Sequence, residues 1–364
     1  NDVAFIAIFL YDSKRKKTAY IHAVCSELEM RKEYLGGETI ETIYWGGGTP
    51  SQLDKEDFET IFYYLHKNYS ISSHPEITLE ANPDDLTPDY IAMLRTLPFN
   101  RLSMGIQTFN ESILKVLQRR HTARQAIEAF QNCRAAGFQN ISIDLMYGLP
   151  GETLSTWQQD LDQALLLHPE HLSAYHLIYE EDTVLWKLRE QHKVEEADED
   201  LSVSLFSTLI DRLTSEGYDH YEISNFSLPG LYSRHNSSYW TEKKYLGCGP
   251  SAHSYNGVSR QWNVASLDTY IKRNLRRDTR FEIEELDLYT RYNDFVITRI
   301  RTEWGMPLSK LRDEFGEKLY DYCLRMAAPH LKQGTLELVN DILKLTRKGI
   351  FISDGIMSDM LWTD

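Results

Sequence analysis

Thr42-Ile43-Tyr44-Trp45-Gly46-Gly47-Gly48-Thr49-Pro50 is the stretch that decides the fold of this 364-residue chain. Its first half is apolar, β-branched and aromatic, which reads as a buried strand. The three glycines let the backbone turn sharply and bring its N–H and C=O groups close to a ligand. Pro50 excludes a regular strand directly beyond. A helix is expected next, with Asp54 as its N-cap and Asp57 three residues on. Strand, glycine turn and helix make a ligand-binding edge at the carboxyl end of a parallel strand. No Gly-Lys-Ser/Thr follows, so this is not a Walker phosphate loop. A tight βα turn without a ligand is the other reading of the motif.

Outward from this stretch the same unit repeats. Upstream, Val3 to Phe9 is a short apolar strand. The basic tract Lys14-Arg15-Lys16-Lys17 follows, then a helix from Thr18, as cap, to Leu35, stopped by Gly36-Gly37. Downstream come a helix over Lys55 to Asn68 and a strand over Glu76 to Asn82. Pro88, at a first helical position, opens the next helix. Arg101 to Gln107 is a strand, followed by helices around Asn110 to Gln118 and Thr122 to Ala136, the latter with Thr122 and Gln125 spaced as a capping box. Asn140 to Tyr147 is a strand, closed by Gly148-Leu149-Pro150-Gly151. A helix from Thr153 to Leu167 leads to a sixth strand, His171 to Tyr179. Strands that alternate with helices and form no hairpins imply a parallel sheet with right-handed crossovers. Six such units make an α/β fold of the open or incomplete (β/α)6 barrel type, whose site lies at the carboxyl ends of the strands.

Val194 to Asp200 reads as a solvated acidic linker, and a long amphipathic helix follows to about Glu216. From Tyr218 to Asn263 the pattern is loop-rich, aromatic and glycine-rich. After about Glu282 come several helices and two short strands, Thr335 to Leu338 and Ile342 to Leu345, around Asn340-Asp341. This is expected to be a smaller, mainly helical, winged-helix-like C-terminal domain. The expected division is residues 1–275 and 276–364.

Hydrophobic residues make up 42% of the chain and charged residues 26%, an ordinary globular composition. The net charge of −15 argues against a nucleic-acid binder that relies on a broad basic surface. No apolar run is long enough to span a bilayer and no signal peptide is visible. Cys25, Cys133, Cys248 and Cys323 lie far apart, show no C-x-x-C pattern, and read as small buried apolar residues in a reducing cytoplasm.

The carboxyl ends of the proposed strands share one rim. They offer Gly46 to Thr49, then Glu80 and Asn82, then Gln107 with Arg119 after the next helix, then Asp144 and Tyr147, then Tyr175 and Ile178. An arginine holds a carboxylate in bidentate fashion. Carboxylates accept from ribose hydroxyls or an ammonium group. The set suits a zwitterionic, ribose-bearing ligand better than a polyphosphate, although each residue alone is also a common structural hydrogen-bond partner.

With the motifs together, a resemblance appears. Tyr44-Trp45-Gly46-Gly47-Gly48-Thr49-Pro50, Glu80-Ala81-Asn82-Pro83, Ser103-Met104-Gly105-Ile106-Gln107-Thr108-Phe109 and Asp144-Leu145-Met146-Tyr147-Gly148-Leu149-Pro150-Gly151 resemble, in order and over the whole chain, the radical S-adenosylmethionine (SAM) proteins of the oxygen-independent coproporphyrinogen III oxidase family. His235-Asn236-Ser237-Ser238-Tyr239-Trp240 fits the H-N-x-x-Y-W motif of that family's heme-chaperone branch. Gly247-Cys248-Gly249-Pro250-Ser251-Ala252-His253-Ser254 fits the segment after it. The resemblance implies that Gly47, Gly48 and Thr49 contact the methionine part of SAM, and that Glu80, Gln107, Arg119, Asp144 and Ile178 stand at SAM-contact positions. In the porphyrinogen oxidases some of these serve a second SAM, so a one-SAM protein need not use them all.

The chain departs from the family in one place. The family carries C-x3-C-x2-C after its first strand, three thiolates that hold a [4Fe–4S] cluster and leave one iron open for SAM. No such motif is present, nor the His-x-Pro-Phe that precedes it. Its expected place is between Phe9 and Leu10, and a break in the chain is expected between about Ile8 and Tyr11. The preferred reading is a ligand loop that the 364 residues lack; natural or engineered loss is the alternative. The four cysteines present have the wrong spacing to replace it.

For His235 two readings stand side by side. Imidazole is an axial ligand for heme iron, with Tyr239 and Trp240 lining a flat porphyrin. Alternatively His235 and Asn236 tie down a loop. The expected function is a cytoplasmic heme chaperone that binds heme and, when intact, a [4Fe–4S] cluster and SAM, and delivers heme to acceptor proteins. An oxygen-independent coproporphyrinogen III oxidase and a cluster-free binding protein with a retired radical site are the alternatives. Assembly as a homodimer stays open.

Overall fold

The computed structural model describes residues 2–7, 14–181, 183–278 and 280–363, with side chains from residue 16 on. The position between Phe9 and Leu10, and the expected break between Ile8 and Tyr11, lie outside the described residues.

The six expected strand–helix units are present. They are β1 (Asp2–Ala7), α1 (Lys14–Met30), β2 (Ile40–Gly46), α2 (Lys55–Asn68), β3 (Ile71–Ala81), α3 (Pro88–Leu94), β4 (Arg101–Gln107), α4 (Glu111–Val116), α5 (Ala123–Ala135), β5 (Ile141–Tyr147), α6 (Leu154–Leu166) and β6 (His171–His176). The strands pair in parallel and in order from β1 to β6. A period of two divides each strand between two faces. Ile43 and Trp45, Ile77 and Leu79, Leu102 and Met104, and Ile143 and Leu145 are buried in the core the helices cover. Trp45 sits there with ring centroids 5.0 Å from Phe58 and Phe62. Each such side chain contributes roughly 1.5–3 kcal/mol of burial. The alternate residues are polar: Thr42 and Tyr44, Thr78 and Glu80, Arg101 and Ser103, Ser142 and Asp144. They line the concave face of the curled half-barrel.

The chain then adds α7 (Val184–Glu190), α8 (Glu199–Ser215), β7 (Asp219–Glu222), β8 (Asn225–Ser227), α9 (Arg234–Tyr239), β9 (Tyr245–Cys248), β10 (His253–Tyr255), β11 (Ser259–Trp262), α10 (Leu267–Leu275) and β12 (Glu282–Glu285). The stretch read as loop-rich, Tyr218 to Asn263, therefore holds five short strands, β7 to β11. One, β9, pairs in parallel with β1 and makes a seventh parallel strand. The full sheet runs β12-β11-β10-β9-β1-β2-β3-β4-β5-β6-β8-β7, antiparallel at both ends.

The remaining residues form α11 (Leu288–Ile300), β13 (Met306–Pro307), α12 (Leu308–Gln333), β14 (Leu336–Val339), β15 (Ile342–Leu345), α13 (Arg347–Ile350) and α14 (Ser353–Met360). The α12 run breaks at Gly316, where φ is 78°. Asn340 and Asp341 both take positive φ, 52° and 67°, and close the β14–β15 hairpin as a two-residue turn of the primed type requires. A three-stranded sheet, β13-β15-β14, packs with these helices around a second core that includes Tyr292, Phe295, Leu311, Leu343 and Met360.

The N-cap expected at Asp54 and the capping box expected at Thr122–Gln125 both form, and Asp57 completes a capping box with Asp54 as well. Thr18 is not a cap, because α1 already begins at Lys14. The basic tract is helical there, and Lys17 Nζ reaches Asp54 at 2.6 Å and Asp57 at 2.5 Å. Strand β6 stops at His176, three residues short of Tyr179.

Candidate functional site

The carboxyl ends of β2 to β5 surround a polar cavity of about 240 Å³ lined by Gly48, Thr49, Glu80, Gln107, Arg119 and Asp144, with Ser51, Asn82, Ser103 and Gly105 between them. Gly47 takes φ 75°, the left-handed region that favours glycine, and donates its N–H to Glu80 Oε2 at 3.2 Å. Tyr44 Oη donates to the other oxygen, Glu80 Oε1, at 2.7 Å. Arg119 Nη2 donates to Asn82 Oδ1 at 2.7 Å and to the Gly105 carbonyl at 2.8 Å. Gln107 has φ 71°, at a register slip between β4 and β5. That bulge re-aims its side chain at a cost of about 1–2 kcal/mol. Room for it exists because residue 105 is glycine: a Cβ there would stand 3.0 Å from Gln107 Nε2 and 3.5 Å from Arg119 Nη2.

The two carboxyls of the pocket are held above their ordinary range. Burial pushes Glu80 up to about 7, although hydrogen bonds from Tyr44 and the Gly47 N–H pull it back. Burial pushes Asp144 up to about 6, against the Ser173 hydroxyl, the Arg101 charge and the Ser103 hydroxyl. Desolvation also lowers Arg119. The pocket is therefore a polar niche with buried carboxyls, in which charge arriving on a ligand changes proton occupancy. A cationic ligand head draws both carboxyls into their ionised form.

Of the residues singled out in the sequence, Gly47, Gly48, Thr49, Glu80, Gln107, Arg119 and Asp144 come together at this rim. Ile178 does not line the cavity. It follows the end of β6 and is 75% exposed. His235 and Tyr239 lie on α9, which packs on β2. His235 is 2% exposed. Its Nδ1 lies 3.2 Å from Thr42 Oγ1 and its Nε2 lies 3.1 Å from Tyr239 Oη. The backbone N–H groups of Arg234 and His235 donate to the two oxygens of Glu76, at 3.0 and 2.9 Å. Burial drives the imidazole down to about 3, so it is neutral. Both ring nitrogens are engaged within the protein, which is the geometry of a loop anchor. The motif still reaches the rim, because His235 stacks on Tyr44 with ring centroids 4.5 Å apart, and Tyr44 holds Glu80.

Tyr44, Ser103, Gly105 and Glu152 shape the site without having been singled out for it. The first three were legible as residues two positions before Gly46, Gly105 and Gln107 on the inward face. Glu152 Oε2 accepts from the N–H groups of Gly148 and Leu149, at 2.6 and 3.2 Å, and closes the glycine turn after β5. Only the folded turn reveals that role.

The four cysteines are buried, free thiols. Burial pushes Cys25 and Cys133 up to about 12 and Cys323 up to about 11, far from the thiolate form that binds metal. Among the described residues no group of three His, Cys, Asp or Glu side chains could hold a metal ion. These residues do not fit an iron–sulfur cluster, in agreement with their spacing.

A curled parallel half-barrel with this rim is the architecture of the radical SAM proteins. A Radical SAM superfamily model matches residues 13–164, and a HemN C-terminal domain model matches residues 286–352. The chain is 32% identical over 349 residues to the heme chaperone HemW of Lactococcus lactis, covering 95% of this chain and 90% of that one. It is 29% identical to the heme chaperone HemW of Bacillus subtilis, over 94% and 91% of the two chains. The solved structure of coproporphyrinogen III oxidase (HemN) from Escherichia coli superposes with a TM-score of 0.84 at 22% identity, covering 99% of this chain and 89% of that one, a likeness of fold. The chain belongs to the HemW heme chaperone family.

Proposed function

We propose that this protein is a heme chaperone: it takes up heme and hands it to acceptor proteins. The observation that carries the reading is the His235–Trp240 segment, wired through Tyr44 to Glu80 at the rim, in a chain that aligns with HemW proteins over nearly its full length. Superfamily membership implies SAM and a [4Fe–4S] cluster as resident cofactors. The rim suits the first of them. Its fixed backbone turn at Gly47 to Thr49 and its two carboxyls match an ammonium, a sulfonium and ribose hydroxyls, and Arg119 and Gln107 provide donors for a carboxylate. In this reading Gly47, Gly48, Thr49, Glu80, Gln107, Arg119 and Asp144 hold SAM, and Ile178 contributes only if its loop folds over the mouth. Bound SAM supplies a positively charged sulfonium; the chain's own residues position it and exclude water. Residues 276–364 act as the C-terminal domain of the family, and His235 and Tyr239 act as the anchor of the motif loop.

The test uses protein that carries the family's cluster-ligand loop, reconstituted anaerobically. Heme titration is expected to saturate at a fixed stoichiometry, and loaded protein is expected to transfer heme to an apo-acceptor. In parallel, SAM, reductant and coproporphyrinogen III are expected to give no sustained vinyl formation. Turnover to protoporphyrinogen without heme uptake would sink the chaperone reading and make the protein an oxidase.

A further inference from the structure

A second cavity lies at the opposite end of the half-barrel from the rim. It measures about 360 Å³ and sits beside the amino end of β2, where Glu41 and Thr42 stand. Its other walls are the loop before α9, α9 itself, and Trp304 just beyond α11. The two variable positions of the H-N-x-x-Y-W motif, Ser237 and Ser238, line it, and none of the rim residues does.

One wall is aromatic and fixed. Trp304 packs against Tyr221, with ring centroids 5.9 Å apart, and against Tyr232 at 5.7 Å with the planes perpendicular. Tyr232 is tied in turn by its hydroxyl to Asp219 at 2.8 Å. Rings already held this way lose little freedom when a flat apolar group lies on them. The charges of the lining do not cancel. Glu41 and Arg234 pair at 2.5 Å, and Arg234 also donates to the His74 carbonyl at 3.0 Å. Lys243 makes no ion pair among the described residues, which leaves one positive charge in excess. The hydroxyls are unequal too. Thr42 is engaged with His235, Ser238 donates to the Arg234 carbonyl at 2.7 Å, and Thr241 donates to the Ser237 carbonyl at 3.1 Å. Ser237 Oγ is buried and has no partner among the described residues. A water molecule would meet that hydroxyl and leave the indole and the ammonium unmatched. A carboxylate on a flat body answers all three: it accepts from the hydroxyl and the ammonium while its ring covers the indole.

We propose that this cavity is a binding site for an aromatic monocarboxylate, with Trp304 as the platform for its ring and Ser237 and Lys243 as the donors to its carboxylate. The site is separate from the rim pocket and does not rest on what the rim holds or on heme uptake. It gives the motif loop a task beyond anchoring: His235 fixes α9 on β2, and the fixed helix presents Ser237 to the cavity.

Naphthoate is the probe, titrated by calorimetry into the full chain, with naphthylmethanol as its uncharged counterpart. The wild type is expected to bind naphthoate saturably at one site and the alcohol about tenfold more weakly. Lys243→Gln is expected to weaken naphthoate about tenfold and to leave the alcohol unchanged, and Ser237→Ala to weaken naphthoate about fivefold. Neither side chain belongs to a hydrophobic core, so both variants are expected to melt within about 2 °C of the wild type. Wild-type crystals soaked in a brominated naphthoate locate the ligand independently of any variant. An anomalous bromine peak beside Trp304 supports the site. No saturable binding, equal naphthoate affinity in wild type and Lys243→Gln, or a bromine peak at the rim alone would overturn it.

Discussion

Glu80 is the residue on which the pocket's chemistry turns, and its raised acidity has a definite sign. Unfolded carboxyls titrate near 4. Folded Glu80 titrates near 7 and Asp144 near 6, so the folded state binds protons more tightly than the unfolded chain between about pH 4 and 7. Their contribution to stability is therefore highest below pH 4 and falls as pH rises through that window. Glu80→Gln is expected to be more stable than wild type by about 1 kcal/mol at pH 8 and no more stable at pH 4, a difference urea unfolding can read. The same ionisation favours a cationic ligand, so the affinity for SAM measured by calorimetry is expected to rise from pH 5.5 to 7.5 in wild type and to rise less in Glu80→Gln, where Asp144 alone titrates in that window. His235 gives the opposite lesson. Its partners sit on both ring nitrogens, so His235→Ala is expected to cost about 2–4 kcal/mol of stability and to leave the Soret band of heme-loaded protein in place. A displaced Soret band would make His235 an iron ligand.

At the scale of elements, the alternation of apolar and polar residues told most of the story before the structure did. Every strand from β2 to β6 was visible because one face is aliphatic or aromatic and the other polar, and the rim followed from where those strands stop. Misplaced ends have local causes. The start of α1 was hidden because four consecutive basic residues look like a loop, whereas Lys17 is neutralised by the Asp54–Asp57 box of another helix. Strand β3 begins at Ile71 rather than Glu76, through a polar stretch with Pro75 that carries no period. Gly46 shows what sequence glycines conceal. A Cβ at that position would lie 2.6 Å from Tyr44 Cε1 and 2.7 Å from Glu80 Cδ. Gly46→Ala is expected to push Tyr44 off Glu80, lower stability by about 1–3 kcal/mol, and weaken SAM binding at least tenfold. Unchanged SAM affinity would remove the Tyr44–Glu80 contact from the site.

Across the whole molecule, the region from residue 218 to 263 was the least legible part. Its strands are three or four residues long, too short to display a period of two, and their pairing depends on neighbours far away in sequence, such as β9 beside β1. The fit between the half-barrel and the C-terminal helices was equally hidden. Glu222, on β7 and 2% exposed, is met by Arg301 at 3.3 Å just beyond α11, and Glu222 also bridges to Thr302. Arg301→Ala leaves that carboxylate buried without its counter-charge. It is expected to cost about 3 kcal/mol, visible as a lower urea midpoint, with Arg301→Lys recovering part of it.

The far border of the great sheet has its own consequence. Strand β12, Glu282-Ile283-Glu284-Glu285, is exposed along its whole length, and among the described residues β11 alone pairs with it. Its outer backbone groups are a template on which another chain could continue the ladder. The strand is four residues long and three of them are glutamates. Two like copies brought side by side would therefore meet as rows of equal charge, and the growth of one molecule onto the next is rejected before hydrogen bonds can form. Salt or acid that silences those glutamates is therefore expected to increase edge-to-edge association, which light scattering of concentrated protein would read.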